Sequence, residues 1–467
     1  MQGLASMARR ETPTSDAWLG RVDQTARPIF LGVAEALAAA IRAGELQPGD
    51  RLPAQRAVAA RLGVDLTTVT RAYEAARARG LLESAAGRGA FVRARAEEDE
   101  AGLADLSMNL PPAPDGLSLA NLIRDTTTAV LQRSDAATLM AYHEGAGLLG
   151  QRTAGAAWLA PGLGAVAADR VLICPGAQAG LAAVLATLCK TGDTVIVEPL
   201  TYPGVLAAAQ ALGLRLAACA VDADGPTPDS IERLSRETGA RTLYLVPTMQ
   251  NPTAAIMPLN RRREIAALCE RLDLRLIEDD PYSRLMAEPV PAIASLAQGR
   301  TFHLATLSKT LSPGLRTAYL VCPPGAPTEA AARALRALAL MPAPLMCAVV
   351  TAWMREGQAE ALLAGVRREV AARRQLAERI LPAAQGSPEN LHLWLPLPQT
   401  WSAERLRLAG LERGLALVAA DAFAAGEPRT NGVRISLGGP GKRAALERAL
   451  EAVAAMVGGA PRARLVV

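Results

Sequence analysis

Five strand-length apolar runs constrain the fold of this chain more than any other feature: "RVLICP", "DTVIVEP", "RTLYLVP", "LRLIEDD" and "TFHLATLS", separated by Ala/Leu-rich segments of helical length. Nearly continuous apolar runs suit strands buried on both faces, and regular alternation with helices builds an α/β domain around a mainly parallel sheet. In open sheets of this kind ligands bind at the carboxyl ends of the strands, so the residues just after each run carry the functional information. Alanine supplies much of the 50% hydrophobic fraction and aromatics only 3%, which points to many helices packed through small side chains.

Those strand ends form a constellation. "CPGAQAG" offers small residues and free backbone N–H groups at Gly176, Ala177 and Gln178, where a helix opens, and suits a phosphate. "EPLTYPG" delivers the aromatic face of Tyr202, "PTMQNPT" delivers Asn251, and "IEDDPY" delivers Asp279 and Tyr282. "TLSKTLSPGLR" delivers Thr306, Lys309 and Arg316. The chain has three lysines, Lys190, Lys309 and Lys442, among 50 lysines and arginines. Arginine replaces lysine for charge, but a guanidinium does not form a Schiff base with an aldehyde. Taken singly, each residue has a plainer reading: Asn-Pro as a turn, Asp as a helix cap, Tyr as packing, Lys309 as chance. Together they supply a phosphate cup, a stacking face, a carboxylate, two groups to hold a phenol oxygen and an aldehyde-reactive amine, as pyridoxal 5′-phosphate requires. "GGPGKRA" around Lys442 fails the spacing of a phosphate loop and reads as surface.

The N-terminal part has a different character. Residues 1–95 hold 14 arginines against nine acidic residues, so a basic module sits on a nearly neutral body. Helical apolar spacing from Phe30 to Ile41, a short helix from about Ala54 to Leu62, a turn at Gly63, and a third helix from an Asp65 cap to Gly80 are followed by two extended runs around Gly87, Arg88 and Gly89. A helix-turn-helix with a two-stranded wing lays its third helix in the major groove of double-stranded DNA. Thr67, Thr68 and Arg71 near the start of that helix, Arg56 on the second, and Arg88 with Gly89 in the wing are the candidate contacts to phosphates or base edges. The competing reading is a tri-helical packing unit without DNA.

The words "IRAGELQPGDRLPAQRAVAARLGV", "TTVTRAYEAARARGLLE" and "GRGAFV" resemble the winged-helix domain of the GntR family of bacterial transcription regulators, with Leu66 where that family usually has Arg. From about Asn109 to Arg434 the chain resembles the fold type I aminotransferases, and "IEDDPY" with "SKTLSPGLR" resembles the MocR subgroup, in which such a domain is fused to a GntR module. The resemblance implies a smaller C-terminal α/β subdomain and the following roles. Lys309 would carry the cofactor as a Schiff base, Asp279 would hold the pyridine nitrogen protonated, Asn251 and Tyr282 would bond the ring oxygen, and Tyr202 would stack on the ring. Gly176, Ala177, Gln178, Thr306 and Arg316 would hold the phosphate. Tyr142 in "YHEGAGLLGQR" resembles a tyrosine that reaches the neighbouring subunit's phosphate, which implies a homodimer, and Arg434 in "GVRISLGG" resembles an arginine that grips a carboxylate. Ala254 stands where Gly is usual, and Thr306 where Ser is common.

The expected organisation is an N-terminal extension over 1–27, a winged helix-turn-helix over 28–95, a linker with an extended arm over 96–115, acidic then Pro-rich, and a cofactor-binding effector domain over 116–467. Six dispersed cysteines without a CxxC pair and three histidines without metal spacing predict reduced, mostly buried thiols, no metal centre and a cytoplasmic setting. The opening residues lack the apolar run of a signal peptide, and no stretch reads as a membrane span. Two functions follow from the resemblance: a DNA-binding regulator that senses an amine, an amino acid or the cofactor itself, and an active aminotransferase. The basic module, which transamination does not use, favours the regulator.

Overall fold

The computed structural model describes residues 17–22, 28–42, 45–46, 50–78, 81–85, 89–92, 104–114, 116–143, 146–325, 327–426 and 430–459. The chain divides into two compact units between Glu100 and Ala101. In the first, helices α1 (Ile29–Arg42), α2 (Gln55–Leu62) and α3 (Leu66–Ala78) precede the antiparallel strands β1 (Leu82–Ala85) and β2 (Gly89–Val92), as the helical spacing and the wing predict. Val33 and Leu37 of α1, Val58 of α2, and Val69 and Tyr73 of α3 close its core, and the Tyr73 hydroxyl donates to the Pro53 carbonyl at 3.0 Å. The stretch expected as an extension contributes to this core. A 3-10 turn at Ala17–Arg21 buries Trp18 completely, because an indole beside an Ala-rich helix fills space that small side chains leave.

The second unit opens with β3 (Ala104–Asp105), α4 (Leu119–Arg133), α5 (Ala136–Leu139) and α6 (Leu149–Leu163). The alternating region follows: β4 (Val171–Cys174), α7 (Ala177–Leu188), β5 (Thr194–Val197), α8 (Pro203–Ala211), β6 (Arg215–Ala218), a hairpin of β7 (Val221–Asp222) and β8 (Gly225–Pro226), α9 (Pro228–Thr238), β9 (Thr242–Leu245), α10 (Leu259–Leu272), β10 (Arg275–Asp279), α11 (Ile293–Leu296), β11 (Thr301–Thr306) and β12 (Ala318–Val321). Seven of these strands form one sheet in the order β4-β12-β11-β10-β9-β5-β6. Only β12 runs antiparallel to its neighbours, so the sheet is mainly parallel. The carboxyl ends of β4, β5, β9, β10 and β11 therefore share one edge of the sheet.

Helices α12 (Pro327–Ala339), α13 (Pro344–Glu356) and α14 (Gln358–Ile380) lead to the smaller C-terminal part: β13 (His392–Pro396), α15 (Ala403–Leu411), β14 (Leu415–Ala416), β15 (Val418–Ala419), β16 (Gly432–Ser436) and α16 (Arg443–Gly458). Its antiparallel sheet, in the order β13-β16-β15, packs with α15 and α16 around Leu393, Leu406, Ile435 and Leu450. Among the described residues no helix is long and apolar enough to cross a membrane. All six cysteines are free thiols and five are buried.

The expected linker over 96–115 differs from what its composition suggests. From residue 104 it is docked on the larger unit: β3 pairs with β14 in parallel, Leu106 is fully buried, and Asn109 is almost so. Ser436 fixes it by donating its N–H to Leu106 O at 2.8 Å and its hydroxyl to Met108 O at 2.5 Å. Gly438 and Gly439 make the approach possible, because a Cβ on either would lie 1.7 Å from the carbonyl oxygen of Leu110 or Asp105.

Candidate functional site

The shared strand edge and β16 enclose a cavity of about 240 Å³ lined by Asn109, Tyr202, Asn251, Asp279, Tyr282, Thr306, Lys309 and Arg434, among others. Asp279, the last residue of β10, is buried, and its Oδ2 accepts from the Tyr244 hydroxyl at 2.6 Å. Burial pushes its carboxyl up to about 6, and the neighbouring Asp280 adds to this, while the Tyr244 bond and the cations of His303 and Lys309 work against the rise. Tyr244 sits in the middle of a strand, where periodicity assigns it to packing, so sequence reasoning passed over it. Tyr202 stands half-buried just before α8.

Lys309 follows β11, the strand next to β10, and its Nζ donates to the Asn109 carbonyl at 2.7 Å. Burial, followed by the positive charge of Arg434, lowers the amine to about 8. An amine so poised is partly neutral near physiological pH, as nucleophilic attack on an aldehyde requires. Asn109 also donates through Nδ2 to the Tyr282 hydroxyl oxygen and to His392 Nδ1, both at 3.0 Å. With His392 Nε2 on the Gln250 carbonyl at 3.0 Å, the buried ring is neutral, its basicity depressed to about 3 by burial. Arg434, at the centre of β16, donates Nη1 to Asn251 Oδ1 at 2.8 Å and Nη2 to the Ser107 carbonyl, and its guanidinium lies over the Phe423 ring. Asn109, Ser107 and Phe423 were not read from the sequence as site residues. The first two lie in the expected linker, and nothing local marks Phe423.

The N-terminus of α7 puts Ala177 in the cavity wall with Thr306, and Gly176 lies against Arg316; Gly176, Gln178 and Arg316 are not themselves in the cavity lining. Gln178 Nε2 donates to the Gly204 carbonyl at 2.8 Å, and the Thr306 hydroxyl donates to Ser308 Oγ at 3.0 Å. Gly176 has φ +93°, and a Cβ there would lie 2.2 Å from Arg316 Nη2, so only glycine lets the guanidinium close over the helix start. Among the described residues Asn109 Oδ1, Gln178 Oε1 and Arg434 Nε are buried without a hydrogen-bond partner. Such orphans are costly unless a ligand meets them. A free N-terminal turn with an arginine for a phosphate, a buried carboxylate, an aromatic face and a low-pKa amine fit pyridoxal 5′-phosphate.

Tyr142 is not at this cavity; it is 79% exposed after α5. In the N-terminal unit Arg56 and Thr67 are exposed and Thr68 half-buried, while the exposed Arg71 stacks its guanidinium 4.2 Å from the Phe30 ring centroid. Leu66 opens α3 as an exposed apolar side chain, and Gly89 begins β2 with Arg51 beside it. Arg88 lies outside the described residues.

Comparison with known proteins agrees with both units. The family described as aminotransferase class I and II matches residues 102–453, and the bacterial regulatory proteins of the gntR family match residues 31–92. The HTH-type transcriptional regulator YdeF of Bacillus subtilis (strain 168) is 30% identical over 446 residues, covering 93% of this chain and 95% of that protein. The HTH-type transcriptional regulator TauR of Rhodobacter capsulatus is 29% identical, covering 79% of this chain and 84% of its own. Among solved structures, the α-aminoadipate aminotransferase LysN of Thermus thermophilus, complexed with N-(5′-phosphopyridoxyl)-L-leucine, aligns with a TM-score of 0.70 at 25% identity, over 82% of this chain and 96% of that one. The chain belongs to the aminotransferase class I and II family, in the form fused to an N-terminal regulatory module of the gntR family.

Proposed function

We propose that this chain is a homodimeric, DNA-binding transcription regulator that uses pyridoxal 5′-phosphate to sense a small amine or amino acid. The observation that carries this reading is a poised lysine in a cavity that also holds Asp279, Tyr202, Asn251 and Tyr282, in the same chain as a basic winged helix. When bound, the cofactor supplies an aldehyde that exchanges one amine for another. Lys309 would anchor it, Asp279 would keep a proton on the ring nitrogen, and Tyr202 would stack. Asn251 Nδ2 and the Tyr282 hydroxyl would hold the ring oxygen, and the α7 N-terminus with Thr306 and Arg316 would hold the phosphate.

The arm suggests how occupancy is read. Two cations hold its carbonyls, Lys309 on Asn109 and Arg434 on Ser107. An incoming amine competes for the partner of Lys309, and an incoming carboxylate draws on Arg434, so an amino acid loosens both ties on the segment that leads in sequence to the DNA-binding module. For the dimer, Leu131, Met140, Tyr142, Leu148, Leu149 and Leu338 are exposed large apolar side chains for a second copy to cover, and the His143 N–H on Met341 Sδ ties the segment after α5 to the segment after α12.

The test is a promoter footprint with and without cofactor across a panel of amines, alongside the visible absorption of the purified protein. Wild type is expected to show a band from lysine-bound cofactor that Lys309→Ala abolishes, and salt-sensitive DNA binding that Arg56→Ala or Arg71→Ala weakens. A wild type without the band when supplied with cofactor sinks the sensing reading. Rapid amino-group transfer to a keto acid would favour an aminotransferase.

A further inference from the structure

A second cavity, of about 330 Å³, adjoins the cofactor pocket, and the two share Val246 in their walls. Its walls are largely apolar, with Leu200, Met257 and Trp394 among them, and Glu198 lines it from the end of β5. Glu198 is 5% exposed, and its Oε2 accepts from the Val246 N–H at 3.1 Å. Among the described residues it has no cationic partner. Burial pushes its carboxyl up to about 8, against the hydrogen bonds from the Val246 N–H and the Gln250 side chain, and no neighbouring positive charge opposes that rise. Asp222 and Asp224, from the β7–β8 hairpin, also line the cavity, and no described lining side chain is basic.

A buried carboxylate held by neutral donors but without a cation is expensive in a low-dielectric wall, and it either keeps its proton or meets a cation. A largely apolar cleft of this size takes a ligand with a hydrophobic body, and its few polar groups set the ligand's orientation. We propose that this cavity is a binding site, separate from the Lys309 pocket, for a small ammonium-bearing ligand with an apolar body and no carboxylate, its cation paired with Glu198. Asp222 is neutralised by the Arg261 guanidinium at 2.9 Å, which leaves Glu198 as the buried acid of the cavity, and the absence of a basic lining side chain among the described residues sets its ligands apart from the amino acids that Arg434 suits. The ligand would rest against Gln250 and Thr253, both in the cavity wall and flanking Asn251 of the cofactor pocket. The site does not depend on the sensing reading above, because nothing in it requires the cofactor.

The probe is N,N-dimethylphenethylamine, a tertiary amine without an N–H to exchange with Lys309 for an aldehyde. It is titrated calorimetrically into the cofactor-loaded protein while the visible band is followed. Saturable binding at one site per chain is expected with the band retained, at least tenfold weaker for the neutral 3-phenyl-1-propanol and for Glu198→Gln. The glutamine keeps an acceptor for the Val246 N–H and removes only the charge. Ala255→Trp, at an exposed residue of the cavity wall, leaves Glu198 intact and is expected to abolish binding, and it decides the matter if Glu198→Gln does not fold. Equal binding by wild type and the folded variants, equal binding of the neutral probe, no saturable binding, or loss of the band on titration would each overturn the assignment. A protein that never shows the band but binds the probe through Glu198 would count against the sensing reading alone.

Discussion

Asp279 and Lys309 face each other with opposite displacements. Burial raises the carboxyl to about 6, and burial with Arg434 lowers the amine to about 8. Both shifts bring the groups nearer neutrality, so the pocket's own residues are less charged than their names suggest. A ring nitrogen that is to stay protonated needs Asp279 ionised, and the cofactor-free protein loses that anion as pH falls through about 6. Affinity for added cofactor is therefore expected to decline as pH is lowered through about 6. Tyr244 favours the ionised form through its 2.6 Å bond, so Tyr244→Phe raises the carboxyl further. A hydrogen bond to a charged group is worth roughly 1.5–3 kcal/mol, and one pH unit corresponds to about 1.4 kcal/mol. The decline in Tyr244→Phe is expected to begin about one pH unit higher, read by cofactor titration at a series of pH values. An unchanged midpoint would mean that Tyr244 serves packing only. The amine gives a second outcome at this scale: Arg434 is second only to burial in lowering Lys309, so Arg434→Met moves the amine back towards its ordinary value. The rate of cofactor attachment near neutral pH is expected to fall, and its rise with pH to lie higher than in wild type, as stopped-flow absorbance would show.

At the scale of elements, what could be read in advance was whatever follows a strand directly. Asn251, Asp279, Thr306 and Lys309 each come within a few residues of a strongly apolar run, and the parallel register of β9, β10 and β11 brings them together without further information. The helices and wing of the N-terminal unit were equally legible, because helical spacing and turn residues are local signals. The docked arm was not. "DLSMNLPPAPDG" has the polarity and proline content of a linker, and what holds it is a strand hundreds of residues later, followed by two glycines that leave room for its carbonyls. Tyr244 and Asn109 were hidden for the same reason, since their partners come from another element. Gly438→Ala tests the consequence. Its Cβ would overlap the Leu110 carbonyl, so the arm must lift and Lys309 loses the Asn109 acceptor. A loss of roughly 3 kcal/mol in stability is expected from such a clash, with weakened cofactor binding, measured by thermal unfolding and cofactor titration. Gly458→Ala, with nothing within 4 Å of the new methyl, is the control and is expected to change neither.

At the scale of the whole molecule the outstanding element is Tyr142. A tyrosine 79% exposed, beside exposed Met140 and ahead of exposed Leu148 and Leu149, costs apolar surface in an isolated chain and gains it back if a second copy covers it. In the proposed dimer its hydroxyl would reach the cofactor phosphate of the other subunit, and this dependence can be separated from any effect within one chain. Lys309→Ala removes the anchoring amine, so its homodimers show no lysine-bound band. Tyr142→Ala keeps the amine, and its homodimers are expected to bind cofactor about tenfold more weakly, in line with one lost hydrogen bond to a charged group. Dimers mixed from the two variants and isolated through different tags contain one site without Lys309. The other has Lys309 in its own chain and an intact Tyr142 from the Lys309→Ala chain. That second site is expected to recover wild-type affinity at one cofactor per mixed dimer, measured as band intensity against added cofactor. If Tyr142 acts only on its own chain, the mixed dimers stay as weak as the Tyr142→Ala homodimers. Leu149→Asp carries the same logic to the interface: a buried charge on the covered surface should shift the protein towards monomer in sedimentation and lower cofactor affinity as Tyr142→Ala does, because each site then lacks the tyrosine supplied from outside its own chain.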